Sequence, residues 1–391
     1  MSSGLTTDDR AMLLDSVDKL VARHVEPRAA EIDATAEFPR DVYAAIGELG
    51  LFAAYVPPEY GGAEIGLETI MRAIERIARA SAACALMVGN CGDGIAPIVV
   101  GGSDEVKQQV LPEVATGAVI PCFALTEPEA GSDAGGLRTV ARRDGDRYLL
   151  NGTKLYITNG SAGDVFTTFA RVPQPSGDDA ITAFLIPRGS AGFGIGRDEE
   201  LLGLRGMPAT VLTFEDVEVP ATWRLGEEGE GFKLAMAALD EARLNISTVA
   251  LGVARASFDL AVEHARNREA FGKPLIRHQG LGFLIADMAV RLAGAWTLLH
   301  QAVKAFESQP SRRASTVVAL AKMAATEAAM FITTETVQIL GGSGLTKDLP
   351  AERMFRDAKA FQILDGTTQI QQWIVARQLA EHPLPYRELG W

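Results

Sequence analysis

A single carboxylate near the end of the chain has the setting of a general base. Residues 356–371 read RDAKAFQILDGTTQIQ, so that Asp365 precedes a glycine, two hydroxyls and two amides where a helix begins. A carboxylate there could accept a proton from a bound ligand, while backbone N–H groups at the start of the helix hold a polar cofactor. The alternative is an N-cap Asp in a turn, with Thr368 and Gln371 forming an ordinary capping box.

Two upstream segments favour the first interpretation. Residues 123–133 read FALTEPEAGSD, and residues 151–160 read NGTKLYITNG. Together with residues 356–371 they resemble the acyl-CoA dehydrogenase family, which writes these blocks as TEPxAGSD, NGxKxWITNG and RDAKxxxIxEGTxQIQ. The resemblance runs in order from about residue 5 to the last helix. This chain departs from the pattern at Tyr156, where Trp is usual, and at Asp365, where the family has its catalytic Glu.

Composition limits the kind of protein. The 391 residues, 47% of them apolar, are enough for two or three domains. The formal charge of 37 − 50 = −13 argues against nucleic acid or an anionic membrane surface as a partner. Three cysteines and five scattered histidines show no metal-site spacing, which predicts no metal, a reducing compartment and a cytoplasmic location. No apolar run approaches the roughly 20 residues that span a bilayer, and no leader peptide is recognisable.

The order of patterns along the chain predicts the fold class. Helical spacing fills the first part, strand alternation and a hairpin signal at Asp144-Gly145 fill the middle, and long helical stripes follow. This order favours an α+β fold, mostly α, over an alternating α/β sheet. The resemblance implies a helical N-terminal domain (1–119), a central β-barrel-like domain (120–226) and a C-terminal four-helix bundle (227–391).

The resemblance also implies the reaction. A base removes a proton from Cα of an acyl-CoA thioester while the β hydrogen leaves as hydride to N5 of FAD, which yields an enoyl-CoA, and an electron-transferring flavoprotein accepts the electrons. The implied pathway is fatty acid or organic acid degradation. Carried over residue by residue, the family's contacts along and over the flavin ring fall on Phe123, Leu125, Thr126, Tyr156 and Thr158. Tyrosine in place of Trp keeps an aromatic face for stacking.

Other matched positions reach the nucleotide half of FAD, several of them from a neighbouring subunit. The site would then need at least a dimer, and the family norm is a homotetramer, a dimer of dimers. The matched cofactor positions are Ser132, Arg268, His278, Gln279, Gln338, Gly341, Gly342, Thr367 and Gln369.

For the substrate, the resemblance implies that Ser132, Asp240, Arg243 and Gly366 contact acyl-CoA. The backbone N–H of Asp365, together with a ribityl hydroxyl of FAD, would hold the thioester oxygen and stabilise the enolate-like charge. That role belongs to the backbone and survives the change from Glu to Asp. Burial is expected to raise the pKa of the Asp365 carboxyl, while the following helix N-terminus favours ionisation.

The shorter base leaves three outcomes open. Asp has one methylene fewer than Glu, which withdraws the carboxylate by about 1.5 Å, and a misplacement of this order can cost about a hundredfold in rate. In the first outcome the substrate sits closer and Asp365 still accepts the α proton. In the second another carboxylate acts. The position on the bundle's first helix that serves a subgroup of the family is Ala242 here, flanked by Glu241 and Arg243, which closes that route.

Asp93, within GNCGDG at residues 89–94, is the alternative base. It aligns with the wall of the acyl pocket and could serve a cyclic or unsaturated acyl-CoA that is deprotonated away from Cα. The simpler interpretation is a turn Asp that caps a helix beginning near Ile95. In the third outcome dehydrogenation is lost, leaving an acyl-CoA-binding protein or a flavin oxidase or monooxygenase on the same scaffold. Retention of a carboxylate at position 365 argues against the oxidase and monooxygenase.

Overall fold

The computed structural model describes residues 5–175, 177, 179–308 and 312–381. The first four and last ten residues of the predicted outer domains lie outside this range. The described part begins with helices whose apolar residues recur at helical spacing and face a shared core. These helices are α1 (Thr7–Leu20), α2 (Ala29–Thr35), α3 (Arg40–Glu48), α4 (Leu67–Ala80), α5 (Ala82–Gly101) and α6 (Asp104–Ala115).

Helix α5 corrects one sequence prediction. It is continuous through residues 89–94, so Asp93 lies inside the helix and does not cap a helix that begins near Ile95. The glycines serve close packing instead of a turn. A Cβ on Gly92 would lie 2.6 Å from a ring carbon of Tyr55, and one on Gly94 would lie 2.9 Å from the carbonyl carbon of Pro121. Glycine inside a helix lowers stability, but at these positions it allows α5 to pack closely against Tyr55 and Pro121.

The middle of the chain folds into a mostly antiparallel sheet. The Asp144-Gly145 hairpin prediction is confirmed, because the strands on either side pair with Asp144 opposite Arg147. The strand order is β6-β7-β3-β2-β4-β5-β8, with β1 parallel to β4. The strands are β1 (Pro121–Ala124), β2 (Val140–Asp144), β3 (Arg147–Thr158), β4 (Val165–Val172), β5 (Ala180–Pro187), β6 (Phe193–Asp198), β7 (Ala209–Pro220) and β8 (Arg224–Leu225).

Long helices complete the described chain. Helix α9 packs against α7, α8, α10 and α11, and α7 also packs against α4 and α5. The predicted fold class, α+β and mostly α, is confirmed by this helix–sheet–helix order. The elements are α7 (Gly231–Asn267), β9 (Glu269–Ala270), β10 (Lys273–Pro274), α8 (Gln279–Ser308), α9 (Arg312–Leu340), α10 (Ala351–Phe361) and α11 (Thr368–Glu381).

Among the described residues, three helices are long and apolar enough to cross a membrane by length and composition alone, contrary to the sequence expectation that none would be. Their apolar residues are small or interrupted, so no uninterrupted run shows in the sequence. The candidate windows in Ala82–Gly101 and Ala314–Leu345 are 78% and 67% buried within the fold. The window in Gln279–Ser308 is only 17% buried, so α8 presents an apolar surface that the described residues do not cover.

Residues of α10 connect the sheet to both helical parts. Arg356 donates from Nη2 to Oδ2 of Asp33 at 2.7 Å, and its Nη1 donates to the carbonyl of Leu202 at 3.1 Å. The carboxylate of Asp357 accepts from the backbone N–H of Leu204 at 2.6 Å. This group of contacts, the Arg356–Asp357 junction, fixes the start of the segment that leads to Asp365.

Candidate active site

The loop that carries Asp365 has an unusual backbone. Asp365 has φ 53° and Gly366 has φ 94°, so both lie in the left-handed region. Aspartate tolerates this region better than most residues because its short side chain can hydrogen-bond locally. Helix α11 begins after Thr367, whose hydroxyl accepts from the backbone N–H of Ile370 at 3.3 Å. The alternative in which Asp365 is the N-cap is therefore wrong.

Side chains from three helices hold the two carbonyls of this loop. Arg243 on α7 donates from Nε to the Asp365 carbonyl at 3.1 Å. Gln371 on α11 donates to the carbonyls of Asp365 at 3.3 Å and Gly366 at 3.0 Å. Lys322 on α9 donates from Nζ to the Gly366 carbonyl at 3.0 Å. Within the described residues the backbone N–H of Asp365 donates to no protein acceptor.

Asp93 lies close enough to Asp365 for the two charges to interact, and Glu241 lies near Asp93. Asp93 on α5 is half-buried, and its Oδ1 accepts from Nδ2 of Asn245 at 3.5 Å. Asn245 in turn accepts from the hydroxyl of Tyr55 at 3.1 Å. Glu241 on α7 is close enough for its charge to act on Asp93 and Tyr55. From the sequence, Glu241 was considered only as a neighbour of Ala242, and Asp240 and Arg243 beside it left no local signal that this carboxylate is set apart.

The surroundings of the carboxyl groups of Asp365, Asp93 and Glu241 shift their pKa values for different reasons. Burial raises the pKa of the Asp365 carboxyl, and the positive charges of Lys322 and Arg243 oppose that rise. Burial, with the nearby charges of Asp365 and Glu241, raises the pKa of Asp93 well above its ordinary value. Burial raises the pKa of Glu241 to about 7. Cations therefore oppose the rise in the pKa of Asp365, whereas the charges near Asp93 add to the rise in its pKa.

The cavity beside Glu241 has a volume of about 230 Å³. Tyr55 and Glu241 line it on the side towards Asp93, and Ile70 and Phe306 contribute apolar walls. Within the part of the chain that the structure describes, no group of three or more His, Cys, Asp or Glu residues could hold a metal ion.

The residues predicted along the flavin lie on two adjacent segments. The carbonyl of Thr126 accepts from the backbone N–H of Leu155 at 2.9 Å, so the segment after β1 runs beside the end of β3. Tyr156 has φ 58° and is 55% exposed, which leaves its ring free on this edge. Phe123 is half-buried with its ring centroid 5.0 Å from that of Phe169, Leu125 is buried, and Thr158 ends β3.

A buried ion pair that sequence reasoning missed supports this edge. Lys154 is fully buried, and its Nζ lies 2.7 Å from Oε1 of Glu127 and donates to the Leu125 carbonyl at 3.1 Å. Glu127 also accepts from the backbone N–H groups of Arg138 at 2.5 Å and Thr139 at 3.0 Å. Both partners stand inside the TEPEAGSD and NGTKLYITNG segments, so a charged residue in each motif was the available signal.

Most residues predicted to reach a neighbouring subunit are exposed in the single chain. Arg268, Gln279, Gln338, Gly341 and Gly342 are all exposed, around the β9–β10 hairpin and at the end of α9. His278 is half-buried, with a ring nitrogen 3.0 Å from the Ala270 carbonyl. Near the base loop, Thr367 is half-buried and Gln369 is exposed. Their cofactor roles stay predictions.

The predicted substrate residues divide into two groups. Ser132 is exposed in the loop before β2. Asp240 and Arg243 are engaged within the protein, because Arg243 donates to Asp240 at 2.6 Å and the hydroxyl of Ser315 also donates to Asp240. Gly366 has no room for a side chain, since a Cβ would lie 2.6 Å from Nε2 of Gln371. The contacts of these residues with substrate stay predictions.

Comparison with known proteins identifies the family. The chain matches the models for the acyl-CoA dehydrogenase N-terminal domain over residues 7–118, the middle domain over 122–217 and the C-terminal domain over 229–380. It therefore belongs to the acyl-CoA dehydrogenase family, whose members are oxidoreductases acting on CH–CH groups. The family resemblance read from the sequence is confirmed. The boundaries predicted for the three domains stay predictions.

Three relatives match nearly end to end. An acyl-CoA dehydrogenase of Bacillus subtilis is 39% identical, covering 95% of this chain and 98% of its own length. The cyclohexane-1-carbonyl-CoA dehydrogenase of Geobacter metallireducens is 37% identical over 96% of this chain and 98% of its own. The cyclohex-1-ene-1-carbonyl-CoA dehydrogenase of Syntrophus aciditrophicus is 38% identical over 95% of this chain and 90% of its own.

Solved structures share the fold. Butyryl-CoA dehydrogenase from Megasphaera elsdenii has a TM-score of 0.91 at 35% identity, covering 97% of this chain and 100% of that one. A chain in a structure described as the electron transferring flavoprotein of Acidaminococcus fermentans has a TM-score of 0.91 at 36% identity, covering 97% and 99%. A structure described as PigA with FAD and proline has a TM-score of 0.90 at 25% identity, covering 97% and 99%.

Proposed function

We propose that this chain is an FAD-dependent dehydrogenase of an acyl-CoA thioester, with Asp365 as the base that takes the α proton. One observation carries the proposal. A carboxylate with cations on two sides stands on a left-handed loop whose backbone N–H has no acceptor within the described protein. That combination provides a proton acceptor and an N–H donor for a developing enolate at one point.

The chemistry of the donor set fits FAD. The exposed ring of Tyr156 offers a stacking face, and the segment through Thr126 and Thr158 offers backbone and hydroxyl groups along one edge. A structural neighbour described as containing FAD has the same fold at 25% identity. When bound, FAD would accept the β hydrogen as hydride at N5. The residues that would hold it are the cofactor positions named from the family resemblance.

The protein's own part of the reaction is to orient the thioester and move one proton. Lys322 and Arg243 favour the ionised form of Asp365, which is the form that accepts a proton. The free N–H of Asp365 would hold the thioester oxygen and make the α proton more acidic. Since the carboxylate is about 1.5 Å shorter in reach than a glutamate's, the acyl Cα must approach the loop closely.

A second candidate uses Asp93 as the base for a cyclic or unsaturated acyl-CoA. Two observations favour it: Asp93 is electrostatically coupled to Asp365, and two relatives are named for cyclohexane- and cyclohexene-carbonyl-CoA. The nearby charges of Asp365 and Glu241 disfavour an ionised Asp93. Asp365, which has cations near it, is therefore the first candidate for the base.

An anaerobic titration separates these functions. Purified protein with bound flavin is mixed with straight, branched and cyclic acyl-CoAs, and loss of flavin absorbance is followed for wild type, Asp365→Asn and Asp93→Asn. We expect Asp365→Asn to slow bleaching by at least about a hundredfold, because Asn keeps the backbone conformation and N–H but cannot accept the proton.

If Asp93→Asn abolishes bleaching by a cyclic substrate and Asp365→Asn does not, the second candidate replaces the first. Absence of bleaching by every thioester would contradict both and leave a binding protein. Oxygen consumption at the turnover rate would indicate an oxidase or monooxygenase.

The proposed partners follow from the same reaction. An electron-transferring flavoprotein is the proposed acceptor, supported by the structural match described under that name. The assembly is proposed to be a homotetramer built as a dimer of dimers, supported by the uncovered apolar surface of α8 and the exposed positions around Arg268 and Gln338. The proposed location is the cytoplasm.

A further inference from the structure

Lys322 is a buried ammonium group beside the loop of the base. Its side chain is fully buried in α9, and its Nζ donates to the carbonyl of Gly366 at 3.0 Å. Within the described residues no carboxylate lies at ion-pair distance from it. Its hydrogen-bond partner is a neutral carbonyl, and the charge of Asp365 favours the ionised ammonium without forming an ion pair with it. Burial of an ammonium without a directly paired carboxylate costs free energy.

The position of Lys322 completes a set of three donors. Arg243 on α7 and Gln371 on α11 hold the Asp365 carbonyl, and Gln371 and Lys322 hold the Gly366 carbonyl. All three side chains are buried, at 5%, 0% and 0% exposed respectively for Arg243, Gln371 and Lys322. Glycine adopts a left-handed conformation freely, but Asp365 in that conformation persists only where its surroundings fix it. We name this set the carbonyl clamp.

The charges facing Asp365 come from three helices. Lys322 on α9 and Arg243 on α7 are positive, while Asp93 on α5 is acidic and has Glu241 on α7 near it. Burial lowers the pKa of Lys322 to about 8, and Asp365 opposes that fall. At neutral pH the ammonium is therefore charged, and it becomes neutral at moderately alkaline pH.

We propose that Lys322 is a positioning residue for the base: it fixes the Gly366 carbonyl within the carbonyl clamp and places a positive charge beside the loop of Asp365. The inference rests on the proposed dehydrogenation for its catalytic consequence. The clamp itself rests on the contacts alone. Loss of the Lys322 charge leaves a loosened loop and a carboxyl that holds its proton to higher pH.

The first test is the pH profile of flavin reduction under anaerobic conditions. Lys322→Met should reduce the rate at pH 7 by at least about tenfold and move the acid limb upward by about one pH unit or more, the size expected for losing a nearby opposite charge. Lys322→Arg should keep the acid limb and remove the alkaline limb near pH 8, because a guanidinium does not titrate there. Lys359→Met, which removes an exposed lysine from α10, should leave the profile unchanged.

The second test measures how firmly the loop around Asp365 is held, and it needs no turnover. Amide hydrogen exchange of residues 363–368 in the substrate-free protein should be faster in Lys322→Met than in wild type and Lys359→Met. An unmoved acid limb in Lys322→Met, a persistent alkaline limb in Lys322→Arg, or equal exchange would overturn the proposal. If Lys322→Met does not fold, as judged by circular dichroism, Lys322→Arg decides. If wild type bleaches with no thioester, the proposed function fails while the exchange experiment still tests the clamp.

Discussion

At the scale of single residues, chemistry is governed by backbone conformation and by distant charges. Asp365 has a left-handed conformation that aspartate accepts more readily than most side chains. Its role as the base stays a prediction, and the N-cap alternative that the local pattern offered is wrong because helix α11 begins after Thr367. Lys322 and Arg243, whose charges lower the pKa of Asp365, lie 43 and 122 positions away from it in the sequence. No spacing rule could have joined them to Asp365.

The raised pKa of Asp365 predicts where the rate of flavin reduction begins to fall at low pH, on the acid limb of the pH profile. As pH falls through that pKa the carboxylate takes up a proton and can no longer accept one, so flavin reduction slows. The limb should lie above the value of about 3.9 that is ordinary for Asp. Stopped-flow flavin reduction from about pH 4.5 to about pH 9, which runs from just above the ordinary pKa of Asp to below that of Lys, checks this. A rate independent of pH above about 5 would contradict the raised pKa.

Gly92 on α5 provides a prediction about the stability of the protein. In Gly92→Ala the new Cβ would lie 2.6 Å from Tyr55, within a buried helix, so either the ring or α5 must move. We expect a loss of about 1–3 kcal/mol in the free energy of unfolding, measured by urea denaturation. A substitution that leaves stability unchanged would show that Tyr55 has room to turn away.

At the scale of elements, local patterns predicted most helices and strands, and they failed where packing overrode propensity. The apolar spacing of α4 and the Asp144-Gly145 hairpin were read correctly because both signals are local. Residues 89–94 were read as a turn because glycine and Asp favour turns. Their role in α5 depends on Tyr55, Asn245 and Pro121, which only the folded chain brings near.

The buried Glu127–Lys154 pair makes an element-scale prediction about the flavin edge. Lys154→Met leaves Glu127 buried without its cation, and we expect a loss of about 3–5 kcal/mol in the free energy of unfolding. The matched control is Arg147→Met at the other end of the same strand, whose exposed pairs with Asp144 and Glu218 should contribute less than about 1 kcal/mol. Chemical denaturation measures both, and equal losses would contradict the assigned role of burial.

At the scale of the whole molecule, one surface is left incomplete by a single chain. Helix α8 is apolar enough to span a membrane, yet its window is only 17% buried, and Phe283 and Val290 are 65% and 69% exposed. An apolar surface of this kind indicates contact with another molecule. The exposure of the positions predicted to serve a neighbour's cofactor points to a second copy of this chain.

A matched pair of substitutions tests that surface. Val290→Glu places a charge within the apolar surface of α8 and should shift the assembly towards smaller species with weaker flavin retention. Met12→Glu changes a residue of equal exposure, 69%, on α1 and should do neither. Light scattering after size-exclusion chromatography gives the mass of each. An unchanged mass in Val290→Glu would remove α8 from the interface.

The Arg356–Asp357 junction has a consequence for how the chain can be divided. It joins Asp33 near the beginning, Leu202 and Leu204 in the middle and the segment that ends in Asp365, all through short polar contacts. These contacts therefore link the N-terminal, middle and C-terminal matched regions beside the segment that leads to Asp365. If the three regions were expressed as separate fragments, the contacts of Arg356 and Asp357 with Asp33, Leu202 and Leu204 would be lost, and with them the anchoring of the segment that leads to Asp365.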